Sequence, residues 1–311
     1  MKRVLLVGAG EVGAKHLTAL AGADGLTVAG IVDPAPRTEL PDGIPSFAAL
    51  RPALAVLKPD LVVVAAPPGA ALAAARVAAA DGAAVLVEKP ATIVVTALAP
   101  RPEDGRIFVG FQPHFAPGLH DLLARPPAVE RAVVRLAVRR DPPYFRGWRR
   151  THAAAGGVLH QQAIHGLALA LRLIPGDVES VSATAVHRRN LAETEDRITA
   201  DLTLAGARSV HVDARVDHEG PPRHEVLLQL ADGRRLHIRG RNLEAGLADP
   251  AAAPTHEQLR RQMYAAVLDA AKGRPAHPCL FPLSALRRPL EVIERVYRDA
   301  NRVRAAHPAA A

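Results

Sequence analysis

The rhythm of apolar positions changes partway along the chain. From residue 2 to residue 111 they come in short unbroken runs: KRVLLV (2–7), LTVAGIV (26–32), DLVVVAA (60–66), AAVLVE (83–88) and RIFVGF (106–111). Between some of them lie alanine-rich stretches with helical spacing, Glu11 to Ala23 and Gly69 to Ala80. Runs without alternation predict strands buried on both faces, and intervening helices predict a parallel sheet covered on both sides. Residues 1–111 are therefore expected to form a doubly wound α/β domain.

After residue 112 the runs alternate. VERAVVRLAVRR (129–140), VESVSATAVHR (178–188), RITADLTL (197–204), RSVHVDARVD (208–217), EVLLQLA (225–231) and RRLHIRG (234–240) predict strands with one buried face. Short turns, with Ala205-Gly206 and Asp232-Gly233 as hairpin signals, predict a mostly antiparallel open sheet. With a helix at 157–174 and closing helices near 255–272 and 284–305, residues 112–311 read as a second, α+β domain. An open sheet needs its free face covered, which makes homo-oligomerisation through the C-terminal sheet the expectation. Arginines line one side of the 129–139 and 208–216 alternations, so that face is expected to be wet.

Composition narrows the class. Apolar residues make up 49% of the 311, which excludes global disorder and suits two cored domains. The net charge of +8 invites a nucleic-acid reading, but the 34 arginines (against 5 lysines) are scattered and aromatics are only 3%. Nucleic acid is therefore not the expected partner; a small molecule is. Cys279 is the single cysteine, so no intrachain disulfide or thiolate cage is available, and a cytoplasmic setting is expected. The first apolar run, Val4 to Val7, is too short for a signal-peptide core, and no stretch reaches membrane-spanning length. His114, His152, His160 and His165 lack tight ligand spacing, so no metal site is expected.

Two stretches carry chemistry. Gly8-Ala9-Gly10-Glu11-Val12-Gly13 joins the first strand to the first helix. Gly8 permits a tight turn, Gly10 lets the backbone approach a pyrophosphate, and Gly13 allows close helix–strand packing. The helix N-terminus offers free N–H groups to phosphates. Asp33 ends the second strand, where a carboxylate accepts from the adenosine ribose hydroxyls and repels a 2′-phosphate. Arg37, four residues on, is placed to meet such a phosphate. The cofactor is therefore NAD or NADP, the balance favouring NAD. Ala66-Pro67 after the third strand, and Glu88 and Lys89 after the fourth, fall where strand ends meet the cofactor crevice. In GGVLHQQAIHGL (156–167), helical spacing puts Gln161, Gln162 and His165 on one face, with Ile164, Leu167, Leu171 and Ile174 on another. That polar stripe is either the wet side of a helix or the wall of a pocket.

GAGEVGAKH at the start, Glu88-Lys89-Pro90 and GGVLHQQAIH together resemble the Gfo/Idh/MocA oxidoreductase family over nearly the whole chain. The resemblance implies an N-terminal Rossmann domain, a C-terminal open-sheet domain, and NAD(P)-linked oxidation or reduction of a sugar, cyclitol or other cyclic hydroxyl or carbonyl compound. It implies that Lys89 reaches the reacting oxygen, that Pro90 resembles the family's cis-proline, and that Gln161 and His165 hold the places of the family's Asp or Asn and its histidine. His165 is then the general acid/base and Gln161 an orienting group. RGWRRTH (146–152) resembles the segment preceding that motif, which brings in Trp148; Tyr144 is a further candidate pocket wall.

The chain departs from the family pattern at four places. Gln161 replaces an acid or asparagine, Ala168 stands where an Asp commonly follows the histidine, and His114 in GFQPHFAP takes an arginine's place. APPGAA (66–71) lacks the usual threonine and histidine. These departures imply a substrate less dependent on charged contacts or a changed proton route, with His114 as a polar substrate contact. Two other functions fit the same fold: a redox-inactive cofactor-binding regulator, and an imine or enone reductase.

Overall fold

The computed structural model describes residues 1–35, 43–244 and 253–304. The chain divides into two compact units, Met1–Phe115 with Pro254–Leu286, and Ala116–Ala253 with Arg287–Ala311.

The first unit runs β1 (Lys2–Val7), α1 (Glu11–Ala21), β2 (Leu26–Val32), β3 (Ser46–Phe47), α2 (Leu50–Leu57), β4 (Leu61–Val64), α3 (Pro68–Ala80), β5 (Ala84–Glu88) and β6 (Ile107–Gly110). Its strands form a parallel sheet in the order β3-β2-β1-β4-β5-β6, the doubly wound arrangement expected. Val4–Val7, Leu61–Val64 and Ala84–Glu88 are buried without alternation, as strands covered on both faces must be. Ala71, Ala75, Ala78 and Ala79 let α3 lie close on β5. From the same helix, buried Arg76 donates to both carboxylate oxygens of Asp104 at 2.9 Å and to the carbonyls of Ala97 and Ala99.

The second unit takes up α4 (Leu119–Ala124), β7 (Val129–Ala137), α5 (His152–Ala155), α6 (Ile164–Leu173), β8 (Val178–His187), β9 (Arg197–Leu204), β10 (Arg208–Arg215), β11 (Arg223–Leu230), β12 (Arg235–Arg239) and β13 (Asn242–Leu243). The chain then supplies α7 (His256–Ala271) to the first unit, where it packs on α1, before α8 (Arg287–Asp299) and β14 (Asn301–Arg304) complete the second. The sheet order is β13-β12-β11-β7-β10-β9-β8-β14. It is mostly antiparallel, with β7–β10 and β8–β14 parallel. Helix α6 lies on β7 and β11 and α8 on β8; the other face is polar, with Arg239, Glu225, Arg135 and Asp213 in register across four strands. Among the described residues no helix is long and apolar enough to cross a membrane.

Three expectations change. A single boundary after residue 111 does not describe the chain, because Pro254–Leu286 belong with the first unit. The final helix expected at 284–305 is divided into a 3-10 turn at Leu283–Leu286, α8, and β14. Its buried apolar positions end at Val296, and the residues after Asp299 pair with the edge of β8 instead. The helix expected at 157–174 starts with a π turn, Leu159–Ala163, before α6. Helix α2 falls in a stretch where sequence periodicity predicted nothing.

Candidate active site

The candidate residues divide between the two units. In the first, Gly8 adopts φ +95°, and a Cβ there would lie 2.8 Å from the carbonyl of Ala65, so the turns after β1 and β4 abut and bring Ala66 beside the glycine loop. A Cβ on Gly13 would collide with the Gly8 carbonyl oxygen, which explains why α1 approaches β1 only with glycine there. Gly10 caps α1 without a side-chain cap, and a Cβ on it would meet nothing within 4 Å. The space over the helix N-terminus is open and its N–H groups face outward. Val12 is half-buried in the first turn, and exposed Glu11 pairs with Lys15 at 2.8 Å.

Asp33 is half-buried at the end of β2. One carboxylate oxygen accepts from Ala9 N–H at 2.7 Å and the other from Ala35 N–H at 2.8 Å. The acid thus ties its own turn to the glycine loop and keeps a further lone pair on each oxygen. Pro67 is exposed at the start of α3. Arg37 lies outside the described residues.

Glu88 turns inward. It is 9% exposed, and its Oε1 lies 3.0 Å from His16 Nε2, while His16 Nδ1 lies 2.6 Å from the Tyr264 hydroxyl. Burial opposes ionisation of Glu88, but the His16 hydrogen bond and the positive charges of Lys89 and Arg260 hold its carboxyl below the ordinary value. Its carboxylate is engaged by His16. Half-buried Lys89 follows at the strand end, and the Lys89–Pro90 peptide is cis. His114 is 1% exposed in the first unit, its ring stacked on Phe111 at 5.0 Å and 6.0 Å from Phe281.

In the second unit, the polar stripe is not a wet helix face. Gln161 and Gln162 are 7% and 9% exposed and share one network. The Tyr144 hydroxyl donates to Gln161 Oε1 at 2.8 Å and accepts from Gln162 Nε2 at 2.5 Å. Arg140 donates to Gln162 Oε1 at 2.8 Å, and Gln161 Nε2 donates to the Gly156 carbonyl at 3.2 Å. Arg140 and Arg149 lie over the Tyr144 ring, and Arg149 also lies over Trp148 at 4.5 Å. Burial raises the Tyr144 pKa despite both guanidinium groups, so the phenol stays protonated. His165 is half-buried, directly after the π turn. His160 is a buried core histidine whose pKa is pushed down to about 3 by burial and by the charge of His152. Among the described residues no cluster of His, Cys, Asp and Glu is arranged to hold a metal ion.

Residues 2–99 match the family model described as "Oxidoreductase family, NAD-binding Rossmann fold", and residues 129–242 that described as "GFO/IDH/MocA C-terminal domain". The chain belongs to the Gfo/Idh/MocA oxidoreductase family. This member is similar in fold to a myo-inositol dehydrogenase from Corynebacterium glutamicum (TM-score 0.76, 19% identity, 96% of each chain covered). It is also similar to the WlbA dehydrogenase from Bordetella pertussis, solved with NADH and UDP-GlcNAcA (TM-score 0.75, 22% identity, 96% of each chain). A third is UDP-N-acetylglucosamine 3-dehydrogenase GnnA from Acidithiobacillus ferrooxidans (TM-score 0.73, 19% identity, 96% of this chain and 97% of that one). No curated protein sequence matches the chain. The glycine loop, the open N-terminus of α1 and Asp33 fit the dinucleotide of this oxidoreductase family.

Sequence reading missed His16, Arg140, Tyr264, Glu195 and Tyr297. One signal was available: the chain has three tyrosines, and all three donate or accept in networks around these groups.

Proposed function

We propose that this oxidoreductase interconverts a hydroxyl and a carbonyl on a sugar, a cyclitol or another cyclic polyhydroxylated compound, with NAD as the preferred cofactor. The observation that carries the reading is the Arg140–Gln162–Tyr144–Gln161 network, with both glutamines buried, one turn before His165. Amides and a phenol offer directional donors and acceptors suited to hydroxyl groups, without the fixed negative charge that an acid at 161 would bring. The nicotinamide supplies hydride transfer. Gly8, Gly10, Glu11, Val12, Gly13, Ala66, Pro67 and Asp33 hold the dinucleotide. Lys89 hydrogen-bonds the reacting oxygen and stabilises negative charge on it. His165 takes or returns the hydroxyl proton. Gln161, with Tyr144, orients the substrate, and Gln162 and Trp148 complete its surroundings. The similarity in fold to inositol and nucleotide-sugar dehydrogenases supports this substrate class.

The polar face of the second sheet is the proposed homo-oligomer contact. Arg239, Glu225, Arg135 and Asp213 alternate in sign across it, and a cleft of about 500 Å³ opens there beside Arg135, Arg223 and His237. A row of alternating charges is complementary to its own two-fold copy.

A panel of inositols, sugars and nucleotide sugars, followed by nicotinamide absorbance, tests the activity. Lys89→Ala and His165→Ala are each expected to lower turnover by on the order of a hundred- to ten-thousand-fold, with NADH affinity unchanged. Wild-type turnover in both variants would remove these roles.

A further inference from the structure

The helix that carries His165 is held at both ends by side chains from elsewhere in the second unit, and α8 supplies one at each end. At the carboxyl end, Arg288 donates to the carbonyl oxygens of Leu171 at 2.6 Å, Ile174 at 2.9 Å and Gly176 at 2.6 Å. At the amino end, Val158 N–H donates to Glu195 Oε1 at 2.8 Å and Leu159 N–H to the Tyr297 hydroxyl at 3.0 Å. Tyr297 in turn donates to the same Glu195 oxygen at 2.6 Å. First-turn N–H groups have no acceptor inside their own helix, so a buried helix start needs acceptors of this kind. Glu195 is 2% exposed. The His160 ring stacks on Tyr297, 5.5 Å between centroids at 4°.

Two features take the arrangement beyond an ordinary cap. A Cβ on Gly157 would collide with the Tyr297 hydroxyl and lie 2.7 Å from Glu195 Oε1. The second glycine of the Gly156-Gly157 pair is therefore the socket into which these side chains fit. The backbone that follows the capped amides is the π turn, Leu159–Ala163. One extra residue in a turn rotates everything beyond it by about 100° relative to an uninterrupted α-helix. Whatever holds the π register therefore decides where Gln161, Gln162 and His165 point.

We infer that Glu195 and Tyr297 are positioning residues, which fix the π register through consecutive amides 158 and 159 and so aim Gln161 and His165 at the substrate. The inference rests on the proposed roles of Gln161 and His165. Neither Glu195 nor Tyr297 touches substrate; they act through the helix start.

The test uses the full-length protein with NADH bound, and the variants Tyr297→Phe, Glu195→Ala and Glu195→Gln. Arg295→Gln, on the same helix but bonded to the carbonyls of Val178 and Glu179, is the control. Proton NMR follows the titration of His165, and steady-state kinetics follow kcat and KM on the best substrate of the panel. Tyr297→Phe and Glu195→Ala are expected to move the His165 midpoint by about half a unit or more and to lower kcat roughly tenfold or more. NADH affinity stays within about twofold. Glu195→Gln, whose amide oxygen still accepts from Val158 and Tyr297, restores most of both, and Arg295→Gln alters neither. An unchanged His165 titration in both Tyr297→Phe and Glu195→Ala overturns the inference, as does full kcat alongside a displaced midpoint. If Tyr297→Phe does not fold, the Ala and Gln variants of Glu195 decide. If no panel compound is turned over by the wild type, the proposed function fails, and the His165 titration alone decides the positioning role.

Discussion

Tyr144, Tyr264 and Tyr297 each spend their hydroxyl on a buried polar partner: the Gln161 amide, His16 and Glu195. Single residues set the electrostatics here, and their consequences are measurable. Burial, the dominant cause, pushes the Glu195 carboxyl up to about 7, against the lowering effect of Tyr297 and backbone hydrogen bonds. A raised folded-state pKa means the folded protein holds this proton more tightly than the unfolded chain does. Its contribution is therefore full below about pH 4.5 and is lost as pH rises towards 7. His160, held at about 3, has the opposite sign between 3 and 6.5, so wild-type stability alone would blur the two. Comparison with Glu195→Gln isolates the acid: the melting-temperature advantage of the Gln variant is expected to widen from pH 5 to pH 8. A narrowing gap would contradict the assignment. Asp33 gives a second residue-scale prediction. Asp33→Ala is expected to weaken NADH roughly ten- to a hundredfold, since bonds to a charged group are worth about 1.5–3 kcal/mol. Calorimetric titration with NADH and NADPH reads this directly. The turns of the glycine loop and of Lys89–Pro90 at the ends of β1 and β5 were legible from sequence because turn chemistry is local. The His16–Tyr264 bond was not, since 248 residues separate its partners and no periodicity spans that distance.

At the scale of elements, the strands from β1 to β12 other than the two-residue β3 could be read because burial on two faces or one imprints continuous or alternating runs. The π turn could not: residues 159–163 carry helical spacing, and only the bonds from Glu195 and Tyr297 to amides 158 and 159 identify a different start. Strand β14 was likewise hidden, because Asn301–Arg304 becomes a strand only by finding the edge of β8. Helix α3 offers a prediction at this scale. Its alanines bring it close to the sheet, but Arg76 is what fastens the segment from Ala97 to Asp104 over it. Arg76→Ala removes the guanidinium from Asp104, which keeps only the Arg101 N–H, and from the carbonyls of Ala97 and Ala99, and is expected to cost about 3–5 kcal/mol. Urea unfolding measures it; a loss below 1 kcal/mol would show that the pair behaves as a surface contact.

At the scale of the molecule, the doubly wound sheet and the open mixed sheet followed from the change in apolar rhythm near residue 112. The return of residues 254–286 to the first unit did not, because α7 is an ordinary amphipathic helix whose partner, α1, is named nowhere in its own sequence. The charged face of the second sheet carries the prediction at this level. Arg135→Glu would place three acids side by side with Glu225 and Asp213. Sedimentation analysis is expected to find an oligomer for wild type and a smaller species for the variant. A monomeric wild type at micromolar concentration would remove this face as an interface.

The excursion of the chain through the second unit also constrains how the protein is made. A ribosome that has released Phe115 has delivered the whole parallel sheet, yet the helix that covers α1 and brings Tyr264 to His16 is still unsynthesised. At ordinary elongation rates that interval is roughly 10 to 30 s. During it the nascent sheet bears an uncovered apolar flank, and a fragment ending near residue 115 would carry that flank permanently. Such a fragment is expected to aggregate more readily than the full chain.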